Sequence, residues 1–303
     1  MIFIKYLINS PVIIKTYEGD RIKNLTQVSL KTLTSFKQEG VVERLYILDS
    51  MEDITQFFKE HTQWFVIGKG SNSLVLDSAL TIPFVKLGTY FQTISHESQF
   101  MTIGAGTTVA QLMSYSQKHG LTGLEFMAGV PASLGGMITM NFGCWGKTMV
   151  DIIDSVDIYI PNQGLKTLSL TDCNFDYRSS IFQSLNCLIL KAKVRISSEL
   201  PETVKQTITS YVHDRCEKQP MRHATFGSIF KNPPSQPAAM LIERCGFKGY
   251  ELGTAKISNL HANFMENFNQ ASSQDALDLI ELIQKKVYAI FNIKLIPEVH
   301  VFQ

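Results

Sequence analysis

The sequence predicts an α+β protein built of three consecutive units. Short apolar runs of strand length alternate with capped helical segments, residues 187–196 show a period of two, and a long amphipathic helix occupies the last third. A chain of 303 residues has room for two or three domains. The first unit is expected over residues 1–87, the second over 88–198 and the third over 199–303. Residues 1–14 are apolar but interrupted by Lys5, Asn9, Ser10 and Pro11, which reads as a strand or strand-turn. Residues 45–48 and 64–67 read as buried strands around a helix over 51–60, for which Ser50 is the N-cap. Strands follow at 74–76 and 84–87.

The second unit opens with a strand at 100–103 and a helix over 108–119 that Gly120 stops. It closes with 187–196, where Leu188, Leu190, Ala192, Val194 and Ile196 alternate with Ile189, Lys191, Lys193 and Arg195. A helix over 199–216, with Pro201 tolerated in its first turn, begins the third unit. Ser272 and Asp275 then resemble a capping box, and Ala276, Leu279, Ile280, Ile283, Val287 and Ile290 form one apolar face. An extended piece over 295–302 ends the chain.

Composition narrows the function. Hydrophobic residues at 45% and charged residues at 18% suit a well-cored globular protein. A net charge of +1 gives no reason to expect nucleic acid or an anionic membrane as partner. The apolar pieces of the N-terminus are too short to span a bilayer, and no small-residue cleavage site follows them. The 5 cysteines are scattered without a C-x-x-C, and the 7 histidines form no ligand cluster. No disulfide framework or metal is therefore expected, and a reducing cytoplasm is the default.

Two glycine-rich turns carry the first chemical signal: Gly68-Lys69-Gly70-Ser71-Asn72, and Gly129-Val130-Pro131-Ala132-Ser133-Leu134-Gly135-Gly136. Each follows an apolar run and offers bare backbone N–H groups beside small polar side chains, the equipment for holding phosphate oxygens without a metal. Two such turns suit a ligand with two phosphates, although plain chain reversal is the other reading of such glycines. The first is not a dinucleotide fingerprint, since Ser73 stands at its third glycine and a strand follows in place of a long helix. Gly146-Lys147-Thr148 imitates the end of a P-loop, but Asn141 stands where that motif needs its first glycine.

Three further segments hold reactive candidates. Gly227-Ser228-Ile229-Phe230-Lys231-Asn232-Pro233 joins a hydroxyl, a cation and an amide in one tight stretch. Taken singly, Ser228 is most often a turn hydroxyl. Tyr177-Arg178 lies between aromatics, where an arginine can fork onto a carboxylate or phosphate or simply sit solvated. Glu298, in Pro297-Glu298-Val299, reads by itself as a solvent-facing residue of a strand.

In their order along the chain, these segments resemble the UDP-N-acetylenolpyruvoylglucosamine reductases, the MurB family. The first glycine turn resembles its G-x-G-S-N motif. The run from Gly123-Leu124-Glu125 through Gly135-Gly136 to Met140-Asn141 resembles its G-L-E…G-I-P-G-x-x-G-G…M-N segment. Tyr177-Arg178, Gly227 to Pro233, Leu260-His261-Ala262-Asn263-Phe264 and Pro297-Glu298-Val299 match later motifs in the same order. The resemblance implies an FAD-binding fold of the vanillyl-alcohol-oxidase type, with two α+β units around FAD and a C-terminal α+β substrate unit. It implies non-covalent FAD, NADPH as co-substrate, UDP-N-acetylglucosamine enolpyruvate as substrate and a place in peptidoglycan precursor synthesis. A monomer is the expected state, although the sequence does not set it. Gly68, Gly70, Ser71, Asn72, Gly129, Pro131, Ser133, Gly135 and Gly136 would then hold the FAD pyrophosphate. Ser228 would be the proton donor, Arg178 and Glu298 would polarise the intermediate, and Tyr177 and Asn232 would contact substrate.

Departures from the family pattern set further expectations. The early T-x-x-x-G-G-x-A stretch is represented by residues 34–42, with Glu39 for a glycine and Val42 for the alanine. Glu39 is expected to crowd or repel a cofactor phosphate, and Trp145 to place a bulky ring near the flavin. Nothing is inserted between Arg178 and Ser228, which points to the shorter family type. An FAD-linked oxidase of a small alcohol is disfavoured because residues 121–145 lack a histidine for covalent flavin. A non-catalytic flavin- or nucleotide-binding relative would have no need of Ser228, Arg178 and Glu298 together.

Overall fold

The computed structural model describes residues 22–303, so the strand expected within 1–14 lies outside the described residues. The first unit is a 4-stranded sheet in the order Lys23–Ser29, Val41–Leu48, Phe84–Leu87, Phe65–Val66. Its first pair is antiparallel and the other two pairs are parallel. Helix α1 (Leu30–Leu33) and helix α2 (Met51–Glu60) accompany it. Helix α2 starts where the sequence places it, because the Asp53 N–H donates to Ser50 Oγ at 3.0 Å. Its Ile54, Phe57 and Phe58 pack on Tyr46, Leu48 and Val85.

The second unit is a 5-stranded antiparallel sheet, ordered Gly164–Ser169, Ile153–Ile160, Leu188–Arg195, Phe100–Gly104, Ile94–Glu97. Helix α3 (Val109–His119) begins at a full capping box of Thr108 and Gln111 and ends at Gly120, whose φ is 63°. Helix α4 (Leu134–Thr139) follows the second glycine turn. The alternation read over 187–196 breaks at one point. Asp157 pairs with Lys191 but Ile158 pairs with Ile189, so Leu190 is an extra residue, a β-bulge. Leu188 and Leu190 therefore pack into the first unit's core, while Ile189, Ala192 and Val194 share the second core.

Helix α5 (Pro201–Lys218) carries Pro201 at its start and lies against the second core through Ile208, Tyr211 and Val212. The third core gathers helix α6 (Ala238–Arg244), helix α7 (Ser273–Phe291) and a 3-stranded sheet over residues 251–267. It also takes in Phe36 and Leu74 from the first unit, with the Phe36 and Phe226 rings 4.8 Å apart. The apolar face read on α7 is buried except for Ile290, which is 51% exposed because the last turn overhangs the core. The C-terminal strand His300–Phe302 returns to pair in parallel with Ser73–Val75. Cys173 and Cys187 are buried, which pushes each thiol up to about 11. Among the described residues no helix is long and apolar enough to cross a membrane.

The returning strand locks the first unit to the tail. Phe302 packs against the rings of Phe65 and Phe84 at 5.0 and 5.4 Å. We expect Phe302→Ala to cost about 3–5 kcal/mol in urea unfolding. A loss under about 1 kcal/mol would show that the tail lies outside the cooperative core.

Candidate active site

The units meet around a cleft of about 920 Å³, at the upper end of the ~300–1,000 Å³ range of ligand pockets. Gly68, Gly70, Ser71 and Asn72 line it from one side, and Pro131, Ser133, Gly135 and Gly136 from another. The two turns approach so closely that a β-carbon on Gly68 would collide with Ser133 Oγ. Gly70 is held at φ 61° against the Leu33 carbonyl, so only glycine fits there. Asn72 acts inside the protein: its Nδ2 donates to the Glu298 carbonyl at 3.0 Å, and the His300 N–H donates to its own carbonyl at 3.0 Å. Gly129 is set apart from this wall. It turns at φ 80° against Arg215, whose Cδ would lie 3.2 Å from an added β-carbon.

Ser228, Arg178 and Glu298 come together on the cleft although 120 residues separate the last two. Backbone pairing sets Ser228 beside Glu298. The Glu298 N–H donates to the Ile229 carbonyl at 2.8 Å, and the Lys231 N–H to the Ile296 carbonyl at 2.9 Å. Asn263 clamps the same segment by accepting from the Phe230 N–H at 3.0 Å and donating to its carbonyl at 2.8 Å. Arg178 Nε donates to Glu298 Oε1 at 2.7 Å, and its Nη2 to the Gly143 carbonyl at 2.9 Å.

Arg178 stands at φ 52°, a strained position. Reciprocal backbone bonds between Asp176 and Ser179, at 3.0 and 3.1 Å, hold it there. Gln183 Nε2 and Lys231 Nζ each donate to the Arg178 carbonyl at 3.1 Å. Asn141 adds support by donating from Nδ2 to the Asp176 carbonyl at 2.9 Å. Lys231, Asn263 and Asn141 were visible within the motifs, but their positioning work shows only in three dimensions.

Tyr177 and Asn232 meet each other at the rim, outside the cleft wall. The Asn232 N–H donates to Tyr177 Oη at 3.2 Å, and Asn232 Oδ1 accepts from the Ala238 N–H at 2.9 Å where α6 begins. Two expectations are corrected. Glu39 faces away from the cleft and pairs with Lys31 Nζ at 2.8 Å, so it crowds no phosphate. Trp145 turns from the cleft wall and stacks on Tyr211 of α5, with centroids 4.4 Å apart.

Two lysines add positive charge to the glycine-lined part of the cleft. Lys69 and Lys86 both line it, and among the described residues neither has an acidic partner. Burial lowers the Lys86 pKa first, and the charge of Lys69 lowers it further. Two such cations beside bare glycine backbone favour an anion. Arg215 adds a buried guanidinium with Nη2 unpartnered.

Burial raises the Glu298 carboxyl above the ordinary glutamate value, while Arg178 and then Lys231 pull it down. The folded chain then takes up this proton at a pH where the unfolded chain stays ionised. The resulting stability is complete below the unfolded value of about 4.3 and is lost as pH rises through the folded value. The stability of the unaltered chain relative to Glu298→Gln should therefore improve as pH falls through that window. A constant difference in urea melts between about pH 7 and pH 4 would remove this linkage.

Residues 219–302 match the family model described as the C-terminal domain of UDP-N-acetylenolpyruvoylglucosamine reductase, and residues 48–169 match an FAD binding domain. The UDP-N-acetylenolpyruvoylglucosamine reductase of Bacillus pumilus is 36% identical over 284 residues, covering 92% of this chain and 94% of that protein. That of Bacillus subtilis is 35% identical over the same shares. The crystal structure of the MurB reductase from Thermus caldophilus superimposes with a TM-score of 0.81 at 29% identity, covering 93% of this chain and 99% of that one. With its α+β FAD-binding fold and this level of identity over nearly the whole chain, the protein belongs to the UDP-N-acetylenolpyruvoylglucosamine reductase family.

Proposed function

We propose that this chain is the FAD-dependent reductase that converts UDP-N-acetylglucosamine enolpyruvate to UDP-N-acetylmuramate, with NADPH as reductant, in peptidoglycan precursor synthesis. The observation that carries the reading is the trio of Ser228, Arg178 and Glu298 on one cleft with the two glycine turns. FAD, once bound, would supply the two-electron redox chemistry that links NADPH oxidation to reduction of the enolpyruvyl double bond at its terminal carbon.

The protein's part is to manage the charge this creates. Negative charge gathers on the adjacent carbon and its carboxylate. Arg178 is held by Glu298 through Nε and by Gly143 through Nη2, so its remaining Nη1 is directed by two anchors and free to meet that carboxylate. Preorganised charge of this kind contributes on the order of 3 kcal/mol. Ser228 Oγ has no hydrogen-bond partner among the described residues and stands on the same cleft, placed to protonate the carbanion-like carbon. So weak an acid suits only an acceptor this basic.

Units 1–87 and 88–198 hold FAD, with Gly68, Gly70, Ser71, Pro131, Ser133, Gly135, Gly136 and the paired lysines around its pyrophosphate. Unit 199–303 closes the substrate side, with Tyr177 and Asn232 at the rim. The protein works in the cytoplasm without nucleic acid or membrane partners, in keeping with a net charge of +1 and 5 unclustered cysteines.

The test is an anaerobic absorbance trace: NADPH should bleach the FAD-loaded protein, and the enolpyruvyl sugar nucleotide should restore its colour. Bleaching without recovery would retain the flavin and discard the substrate. Ser228→Ala should leave bleaching intact and slow recovery by about 10²–10⁴-fold; an unchanged recovery rate removes Ser228 from the chemistry. Arg178→Lys should also slow recovery, because one ammonium cannot serve Glu298, Gly143 and substrate together. Recovery at the unaltered rate would make Arg178 purely structural.

A further inference from the structure

The alternation of the edge strand Ile94–Glu97 sends Ile94 and His96 to the same side of the second sheet. Ile94 packs on the second core from that side, as does Tyr115 of α3. His119 stands at the i+4 position from Tyr115, one turn further along the same helix face. Three rings therefore meet between strand and helix, outside the lining of the cleft. Tyr115 and His119 have centroids 4.2 Å apart, His96 and Tyr115 5.7 Å, and the two imidazoles 5.2 Å.

The tyrosine orders the pair. Its Oη lies 2.9 Å from His96 Nδ1. With the proton on Nδ1, that nitrogen donates to Tyr115 and Nε2 keeps a free lone pair. This is the outer hydrogen bond that metal-ligating histidines commonly make. Both histidines are exposed, and among the described residues no hydrogen bond or ion pair engages the His119 ring. The spacing of the rings has a chemical meaning. With a metal–nitrogen bond of about 2.0–2.1 Å plus the ring's own radius, two imidazoles on one tetrahedral ion have centres about 5 Å apart. The pair also lies at the C-terminal end of α3, where the helix dipole favours a cation.

We infer that His96 and His119 form a surface site for a divalent transition-metal ion, with Tyr115 orienting His96 and water completing the shell. Imidazole suits zinc, copper and nickel, whereas magnesium and calcium prefer oxygen. The ion ties the edge strand of the second sheet to the end of α3. The histidines are too far apart along the chain to show as a motif, and only the packing of strand on helix brings them together. The site does not depend on the FAD reading.

The test is thermal melting of the FAD-loaded protein with added zinc chloride, in a buffer that does not bind metal. The melting temperature should rise with zinc and go on rising with the logarithm of its concentration. His96→Asn and His119→Asn should each abolish the rise and leave the melting temperature without zinc nearly unchanged, since both positions are exposed. Tyr115→Phe keeps the ring and removes the orienting hydroxyl, so it should weaken zinc about 10–100-fold. Magnesium chloride should give no comparable rise.

No rise at about a hundredfold molar excess of zinc would overturn the site. A rise that survives both histidine substitutions would place the ion elsewhere, and its loss on thiol alkylation would assign it to the exposed Cys216. An equal rise with magnesium would reduce the effect to ionic strength and overturn the site as well. Full zinc affinity in Tyr115→Phe would overturn the orienting role of the tyrosine. Where His96→Asn does not fold, His119→Asn at the exposed end of α3 must show the same loss of the zinc effect.

Discussion

The ion pair between Arg178 and Glu298 is the contact on which the site depends. It joins a strained turn of the second unit to the last strand-like segment of the chain, at 2.7 Å and with each side chain less than one-fifth exposed. Taking two charges this far out of water is unfavourable unless their remaining polar groups are also satisfied. Here the Gly143 carbonyl receives one arm of the guanidinium, while the backbone of Glu298 is bonded to Ile229 and to the Asn72 side chain. The pair therefore fixes three parts of the chain at once. Breaking it would release the position of Ser228 as well as the charge of Arg178, because residues 228–231 and 296–299 are mutually paired.

A second constraint is steric. Gly68 and Ser133 cannot both carry a β-substituent in the same space, and Gly70 lies on the Leu33 carbonyl. The two phosphate-type turns are consequently held by one another and by the α1 segment, not by a ligand. The sheets beneath them are tied in the same way. The bulge at Leu190 lets one strand supply side chains to two cores, Leu188 and Leu190 to the first, Ala192 and Val194 to the second. A cleft between units joined by a shared strand keeps its walls in register.

What the sequence revealed was local. Ser50, Thr108 and Gly120 mark helix ends through bonds to residues three or four positions away, and those ends were legible. The trio was legible because each member sits in a short motif of unusual composition. The strand Lys23–Ser29 was not, since only Val28 in it is buried and no alternation shows. Glu39 and Trp145 were misjudged for a common reason. Position in a motif does not say which side of the backbone a residue takes. Gln38 turns inward to bond both the N–H and the carbonyl of Val75, which sends Glu39 outward to Lys31. Arg215 had no local mark at all: it is one arginine on a polar helix, and its meaning comes from Ala128, Trp145 and the cleft.

The electrostatics of the cleft then follow from how its cations are used. Arg178 is neutralised by Glu298, whereas Lys69, Lys86 and the free arm of Arg215 face the same cavity without an acidic partner among the described residues. The chain as a whole carries only +1, so this positive charge is a local arrangement and not a reflection of composition. Burial is the larger cause of the lowered Lys86 pKa, and repulsion from Lys69 adds to it. The folded protein holds them apart because the two glycine turns and α5 are fixed by contacts elsewhere. An anionic cofactor relieves that repulsion while binding, so affinity and stability are linked: at a thousandfold excess over its dissociation constant a ligand adds about 4.1 kcal/mol to the fold. The cleft's lining thereby defines the charge of what it takes, an anion able to meet Lys69, Lys86 and Arg215.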